Sequence, residues 1–250
     1  MKVGLAVHRA GHDREANVRR MVELAEEGAA SAADLVLFCE AAPTALCITD
    51  DSAHDLSRGE AIPGPAIAAL RAAARRMHIW IGFGLLERAG GRLYDSAALI
   101  DRHGRLRLHY RRIDPQWHGP RADPTVYGEG HETPVLEDEF GRMGFLIGGD
   151  VFNDGAMGRM WAQRPDVVLV PNARGLDAGM HGDDAWSRTE QAAYAERFKA
   201  MNTSGLAVSC LAADDESSGC VGGAAAVDSQ GRIVAELPAG AEAVLVAKLD

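Results

Sequence analysis

The sequence predicts a single α/β domain, because short strand-like apolar runs alternate with longer stretches of helical periodicity. The length of 250 residues suits one such domain, and a fold of this size buries about three quarters of the surface of its unfolded chain. Hydrophobic residues make up 47% of the chain and charged residues 25%, which is typical of a globular protein. We therefore expect one domain over residues 1–250, without repeats or linkers.

The first half of the chain is predicted to alternate strands with helices. Residues 13–30 place apolar side chains on one helical face and charges on the other, as in an amphipathic helix. The continuous apolar run Leu35–Phe38 is typical of a centrally buried strand. Pro65 begins the next helix, where its missing N–H has no cost. In order, the predicted elements are strand Val3–Val7, helix 13–30, strand Leu35–Phe38, helix Pro65–Met77 and strand Ile79–Gly84, with residues 41–62 irregular.

The second half is predicted to contain shorter strands and one long loop. Residues 114–134 have four prolines and little periodicity, and such segments are often binding or lid loops. Ser187 and Glu190 form a capping box, whose side chains satisfy the backbone N–H groups at the start of a helix that runs to about Lys199. The other predicted elements are strands Ala97–Ile100, Phe145–Ile147, Val167–Val170, Leu206–Cys210, Gly223–Val227 and Ala243–Leu249, and helix Asn153–Arg164.

Charge and composition exclude several classes of function. The formal net charge is −10 and no basic cluster is present, so neither nucleic acid nor an anionic membrane is an expected partner. No apolar run approaches the ~18–20 residues that span a bilayer. Residues 1–7 are too short for a signal peptide, and the four cysteines have no CxxC spacing, so we expect reduced thiols in a cytoplasmic protein. The spacing of His8 and His12 is broken by a strand–helix junction, and we expect no metal and no cofactor.

Three segments place functional groups at or near the ends of apolar runs. Asp34–Glu40 ends on a carboxylate, Leu108–Ile113 contains Arg112, and Phe145–Asp150 passes through two glycines to an aspartate. In this order they resemble the nitrilase, or carbon–nitrogen hydrolase, superfamily. The similarity covers essentially the whole chain and includes Tyr94-Asp95-Ser96, where the family usually has Tyr-Asn-Ser.

The resemblance implies a fold, an assembly and a reaction. The implied fold is a four-layer α-β-β-α sandwich, usually assembled into homodimers or larger homo-oligomers. In the family's reaction a thiol attacks an amide or nitrile carbon, a glutamate acts as base and then acid, and a lysine stabilises the developing anion. In this chain Glu40 takes the place of the glutamate, Arg112 that of the lysine and Gly148 that of the nucleophile.

Gly148 has no side chain that could form a thioester, so ordinary amidase or nitrilase turnover is not expected. Cys39 precedes Glu40 on a strand, where adjacent side chains point to opposite faces, so Cys39 is predicted to pack behind the site. Arg112 has two interpretations: it bridges to Glu40 and closes the vacated site, or it binds an anionic ligand. A loose alignment puts Asp123 at a second glutamate of the family, and its entry into the pocket would shift the carboxylate pKa values.

Two functional hypotheses follow from these residues. In the first, the protein has lost thiol chemistry and binds a partner or a small ligand, such as one with a carboxylate or amide. In the second, it is an enzyme of altered, non-thiol mechanism. Glu40 is then a general base on a water or substrate above Gly148, while Arg112 holds an anion or polarises a carbonyl. Trp117 and Trp186 are predicted to border the pocket, where they could stack on a ligand or simply pack.

Overall fold

The computed structural model describes residues 1–173, 175, 190–213 and 219–249. In these ranges no helix is both long and apolar enough to cross a membrane. The helices are α1 (Arg14–Ala30), α2 (Ser52–Arg58), α3 (Pro65–Met77), α4 (Asp154–Ala162) and α5 (Gln191–Met201), with a 3-10 helix at Gly148–Phe152. The strands are β1 (Lys2–Val7), β2 (Arg9–Ala10), β3 (Leu35–Phe38), β4 (Trp80–Ala89), β5 (Arg92–Ile100), β6 (Leu106–Arg111), β7 (Tyr127–Gly128), β8 (Val135–Asp138), β9 (Gly141–Phe145), β10 (Val167–Asn172), β11 (Ser204–Ser209), β12 (Leu211–Ala212), β13 (Ala224–Val227), β14 (Ile233–Leu237) and β15 (Ala243–Lys248).

The described strands form two main sheets. The first has the order β15-β1-β3-β4-β5-β6, with β7 beside β5, and the second has the order β14-β13-β11-β10-β9-β8. In the first sheet β1, β3 and β4 are parallel, and in the second β9, β10 and β11 are parallel. The parallel strands of each sheet end at one edge, and the chain that follows β3 in the first sheet meets the chain that follows β9 in the second.

The two sheets pack face to face between layers of helices. Along β3, Leu35 and Leu37 face the core between the sheets, while Val36 and Phe38 face the outer core that α1 and α3 cover. On the far side of the second sheet, α5 buries its aromatic side chains, including Tyr194, in the main core. The predicted four-layer α-β-β-α sandwich is therefore confirmed.

Several predicted bounds match the structure and others differ for local reasons. Strand Leu35–Phe38 and helix Pro65–Met77 have the predicted limits. The segment 41–62, predicted as irregular, contains α2, whose first N–H groups are accepted by the Asp51 carboxylate. The strand predicted at Phe145–Ile147 ends at Phe145 and turns into the 3-10 helix. Residues 187–189 of the predicted capping box lie outside the described residues, as does Trp186.

Candidate functional site

Three strand ends bring Glu40, Arg112 and Gly148 together between the sheets. Glu40 follows β3, and its N–H donates to the carbonyl oxygen of Asn172 in the second sheet at 3.3 Å. Arg112 follows β6, and its N–H donates to the carbonyl oxygen of Asp95 in β5 at 2.8 Å. Gly148 begins the 3-10 helix after β9. Backbone hydrogen bonds to the two sheets therefore position Glu40 and Arg112, and the 3-10 helix positions Gly148.

The guanidinium of Arg112 occupies the middle of this centre. Its Nη1 lies 2.8 Å from Glu40 Oε1 and 3.4 Å from Asp95 Oδ2, and its Nη2 lies 3.4 Å from Asp114 Oδ1. Arg112 is 4% exposed and Glu40 is 1% exposed. Of the two interpretations of Arg112, the geometry is that of the bridge to Glu40.

The two glycines leave no volume for a side chain beside this ion pair. A Cβ on Gly148 would lie 2.9 Å from Glu40 Oε2 and 3.0 Å from Arg112 Nη1. A Cβ on Gly149 would lie 2.6 Å from Arg112 Nη2 and 2.9 Å from Asp114 Oδ1. Gly148 also has φ +46°, in the left-handed region that favours glycine. The guanidinium therefore fills the space that two side chains would need.

Asp150 links two segments of the chain around the centre through hydrogen bonds. Its Oδ2 accepts hydrogen bonds from Tyr110 Oη at 2.6 Å and from the N–H of Ile147 at 3.0 Å. Its Oδ1 accepts from the N–H of Asp114 at 2.7 Å and from that of Ile113 at 3.1 Å. With four donors, this carboxylate joins the segment after β6 to the segment after β9. Its role is structural.

Asp95 makes the centre electrostatically unusual. Burial, followed by repulsion from Glu40, raises the pKa of Asp95 well above its ordinary value. Asp95 Oδ1 has no hydrogen-bond donor unless a proton lies between Asp95 and Glu40, which would satisfy both groups. Burial opposes the charge of Arg112, but the carboxylates around it, led by Glu40 and Asp95, raise the pKa of Arg112. These shifts favour a protonated Asp95 beside the charged guanidinium of Arg112.

Asp123 does not belong to the centre, so its predicted entry into the pocket is corrected. It lies on the surface, where its Oδ1 accepts from the N–H of Thr125 at 2.8 Å and from Thr125 Oγ1 at 2.7 Å. Its carbonyl oxygen accepts from the N–H groups of Val126 and Tyr127, both at 2.9 Å. The side chain is therefore committed to a local turn. Sequence reasoning instead missed two carboxylates of the centre, Asp95 and Asp114.

The cysteines provide no substitute nucleophile among the described residues. Cys39 is fully buried in the outer core, with Sγ 3.9 Å from His8 Nδ1, and packs behind Glu40 as predicted. Cys47 is partly buried against the same core, and Cys210 and Cys220 are buried there. Within the described ranges no group of His, Cys, Asp and Glu side chains is arranged to hold a metal ion.

Trp117 is also accounted for by packing. It is 4% exposed and lies in a small core with Leu86 and Tyr127, whose ring centroid is 5.7 Å from that of Trp117. Its predicted alternative role, stacking on a ligand, has no support in this position.

The chain is similar to carbon–nitrogen hydrolases in sequence and fold. Residues 4–250 match the family model described as carbon-nitrogen hydrolase. A bromoxynil-specific nitrilase of Klebsiella pneumoniae subsp. ozaenae is 32% identical over 146 residues, which cover 54% of this chain and 41% of that protein. A formamidase of Bradyrhizobium diazoefficiens is 28% identical over 209 residues, covering 82% of this chain and 56% of that protein. The chain thus spans about half the length of the curated relatives it matches.

Solved structures reproduce the fold over its full extent. An amidase from a Nesterenkonia species has a TM-score of 0.81 at 20% identity, with 100% of this chain and 93% of that chain covered. A carbon–nitrogen hydrolase of Helicobacter pylori has a TM-score of 0.84 at 17% identity, with 99% and 88% covered. A variant of the Nesterenkonia amidase carries acrylamide added to its active-site cysteine.

Proposed function

We propose that this chain, which belongs to the carbon–nitrogen hydrolase family, has lost cysteine-dependent hydrolysis and binds a small ligand or a partner instead. The carrying observation is that Arg112 Nη1 lies 3.0 Å from the position of a Cβ on Gly148 and 2.8 Å from Glu40 Oε1. The group that would form the thioester is absent, and its space is taken by a cation. Deleting a catalytic nucleophile costs on the order of 10⁶ in kcat in comparable enzymes.

The state of Glu40 supports the same proposal. A general base must reach the proton that it removes, and Glu40 is 1% exposed and bonded to Arg112. Freeing its carboxylate would break a buried ion pair, which typically costs about 3–5 kcal/mol when one partner is removed. Arginine also keeps its proton permanently, so Arg112 cannot donate a proton during a reaction.

Ammonia release from formamide, butyramide, acrylamide and bromoxynil tests the proposal. Relatives are described as formamidases or a bromoxynil-specific nitrilase, and the Nesterenkonia amidase binds butyramide and acrylamide. We expect no release above that of buffer. Turnover that Glu40→Gln abolishes would overturn the proposal, provided that circular dichroism shows the variant to be folded under the assay conditions.

An enzyme of altered, non-thiol mechanism is the second candidate, and one observation favours it. The raised pKa of Asp95, caused first by burial and then by Glu40, puts a proton-carrying carboxyl group beside the side chain of Glu40. Such a pair can act as general acid and general base, with Arg112 as anion or carbonyl binder. Turnover lost in both Asp95→Asn and Glu40→Gln, but kept when Cys47 is replaced by serine, would establish this candidate.

The proposal includes assembly into a homodimer or larger homo-oligomer in the cytoplasm. Four free cysteines suit a reducing compartment. Trp161 on α4 is 60% exposed, and tryptophan is enriched at protein interfaces. Light scattering should give a mass at least twice that of one chain. A monomer at all concentrations would remove assembly from the proposal.

A further inference from the structure

A cavity of about 530 Å³ lies outside the buried centre, on the other face of the same strand end. Neighbouring side chains on a strand point to opposite faces, so Arg112 enters the space between the sheets while Arg111 lines this cavity. The cavity lies between β5 and β6 on one side and the loop of residues 129–134 on the other. Its volume is within the range of about 300–1,000 Å³ that holds small molecules.

The strand wall of the cavity presents a fixed guanidinium. Arg111 Nε and Nη2 donate to the two carboxylate oxygens of Glu87 at 2.9 and 2.6 Å, and the guanidinium carbon lies 3.8 Å from the ring centroid of Tyr94. Arg111 Nη1 has no hydrogen-bond partner among the described residues. Arg92 adds a second cation, with a buried Nε that lacks an acceptor. Free N–H groups on a preorganised fork are suited to a carboxylate.

The loop wall presents carboxylates. Glu132 is exposed and has no ion pair or hydrogen bond among the described residues, and Glu129 has one contact, with His118 Nε2 at 3.3 Å. The loop is nevertheless anchored. The N–H of Gly130 donates to the carbonyl oxygen of Arg112 at 2.7 Å, and Arg159 Nη1 donates to that of His131 at 2.7 Å. The two walls of one cavity therefore carry opposite charges on fixed elements.

We propose that this cavity binds a small zwitterion that has a carboxylate and a protonated amine, as amino acids do. The carboxylate contacts the free edge of Arg111, and the ammonium group contacts Glu132. An anion without the amine would meet two glutamates, and a cation without the carboxylate would meet two arginines, so only a molecule with both charges complements the lining. The assignment rests on the proposed function, because it names the class of ligand for a binding protein.

Calorimetric titration of the intact chain tests the assignment. The probes are the common L-amino acids and γ-aminobutyrate, with butyrate and butylamine as single-charge controls. We expect at least one zwitterion to bind with a Kd of about 1 mM or tighter, and its single-charge analogues to bind at least ~10-fold more weakly. No heat from any zwitterion at about 10 mM, or equal affinity for butyrate and γ-aminobutyrate, overturns the assignment.

Four variants, one of them a control, locate the binding. Glu132→Gln changes an exposed, unpaired side chain, so the fold is kept and affinity should fall at least ~10-fold, about 1.4 kcal/mol. Arg111→Gln should do the same, and Arg111→Lys retains a charge for the buried Glu87 if the glutamine variant fails to fold. Glu15→Gln removes an exposed charge from α1 and should leave affinity unchanged. Affinity that survives Glu132→Gln and the folded Arg111 variant contradicts the assignment.

Glu40→Gln separates this assignment from the proposed function. Hydrolysis that depends on Glu40 would overturn the proposed function, whereas zwitterion binding that depends on Arg111 and Glu132 but not on Glu40 would still support the cavity. If neither hydrolysis nor zwitterion binding is found, the proposed function stands and the cavity assignment is wrong.

Discussion

Arg112 and Asp95 are best understood as a matched pair. A guanidinium buried between two sheets needs carboxylates around it, and Arg112 has contacts within 3.4 Å with Glu40, Asp95 and Asp114. The family that this chain resembles usually has lysine and asparagine where the chain has Arg112 and Asp95. An additional carboxyl group therefore accompanies the larger cation. The Asp95 substitution was visible in the sequence, but its meaning depended on the fold that brings β5 beside β6.

Asp95→Asn should flatten the dependence of stability on pH. Burial, then Glu40, raises the pKa of Asp95, so the folded state keeps a proton that the unfolded chain loses above pH ~4. At Asp95 the folded state then binds more protons, so the contribution of this residue to the free energy of unfolding falls as pH rises from that value toward the folded pKa. An amide at this position donates to Glu40 without titrating. The free energy of unfolding at pH 8 minus that at pH 5, measured with urea, should be more positive in the variant than in the parent, and equal differences would contradict a protonated Asp95.

Gly148→Cys alone should destabilise the fold without creating a hydrolase. Its Cβ would lie 2.9 Å from Glu40 Oε2, and φ +46° is strained for any side chain, so we expect a loss of about 2–4 kcal/mol in urea unfolding. Adding Arg112→Lys and Asp95→Asn should recover part of that loss and expose the thiol to iodoacetamide. Gly158→Cys, on α4 with nothing within 4 Å of its Cβ, is the matched control. If Gly148→Cys alone is as stable as Gly158→Cys, a side chain at position 148 is not crowded by Glu40 and Arg112.

At the scale of elements, local signals predicted the central elements and failed where tertiary contacts decide. The apolar run of β3 and the proline of α3 are sufficient to set their bounds. The strand before Gly148 stops early because the Asp150 carboxylate accepts the N–H of Ile147, a contact that no local pattern reports. Strand β14 was missed because an edge strand with half-exposed residues lacks a continuous apolar run. Asp123 was misplaced because a loop without periodicity offers no register for alignment.

Gly84→Ala should disturb the end of β3 and, through it, Glu40. A Cβ on Gly84 would lie 2.6 Å from Glu40 Cα and 3.0 Å from the Cys39 carbonyl oxygen, which are backbone atoms that cannot swing aside. Overpacking of this kind costs about 1–3 kcal/mol. Urea unfolding should report that loss, whereas Gly158→Ala should not lose stability, because its Cβ meets open space within a helix. Equal stability of the two variants would show that β3 and β4 can separate at no cost.

At the scale of the whole molecule, the buried groups His8 and Glu87 both lower the stability of the fold in acid. Burial, partly offset by a hydrogen bond to the Ala42 carbonyl, lowers the pKa of His8 from 6.5 to about 4. Burial acts against the charge of Glu87, but hydrogen bonds led by that from Arg111 lower the pKa of Glu87 to about 2. A depressed folded pKa stabilises the fold above the unfolded value and is lost as pH falls. As pH falls, the stability that neutral His8 contributes is therefore lost first, between pH 6.5 and about 4, and the stability that ionised Glu87 contributes is lost below pH 4.5.

His8→Gln should reduce the loss of stability between pH 7 and pH 4.5. In the parent, protonation of the unfolded histidine over this interval removes up to about 3 kcal/mol from the free energy of unfolding. Glutamine can still donate to the Ala42 carbonyl oxygen, which His8 Nε2 contacts at 3.1 Å, but does not titrate. Chemical denaturation of both proteins at the two pH values measures the difference. Equal losses of unfolding free energy in the parent and in His8→Gln would mean that His8 is already solvated and protonated in the native protein.

The guanidinium of Arg112, surrounded by carboxylates, also limits which single substitutions the centre can accept. Lysine at position 112 would offer Asp95 and Asp114 a single ammonium group in place of the planar guanidinium. A thiol at position 148 would clash with the guanidinium of Arg112. We expect each change alone to destabilise the fold, and the changes together to recover part of that loss. Under the proposed loss of thiol chemistry, such a centre would oppose a return to hydrolysis through single codon changes.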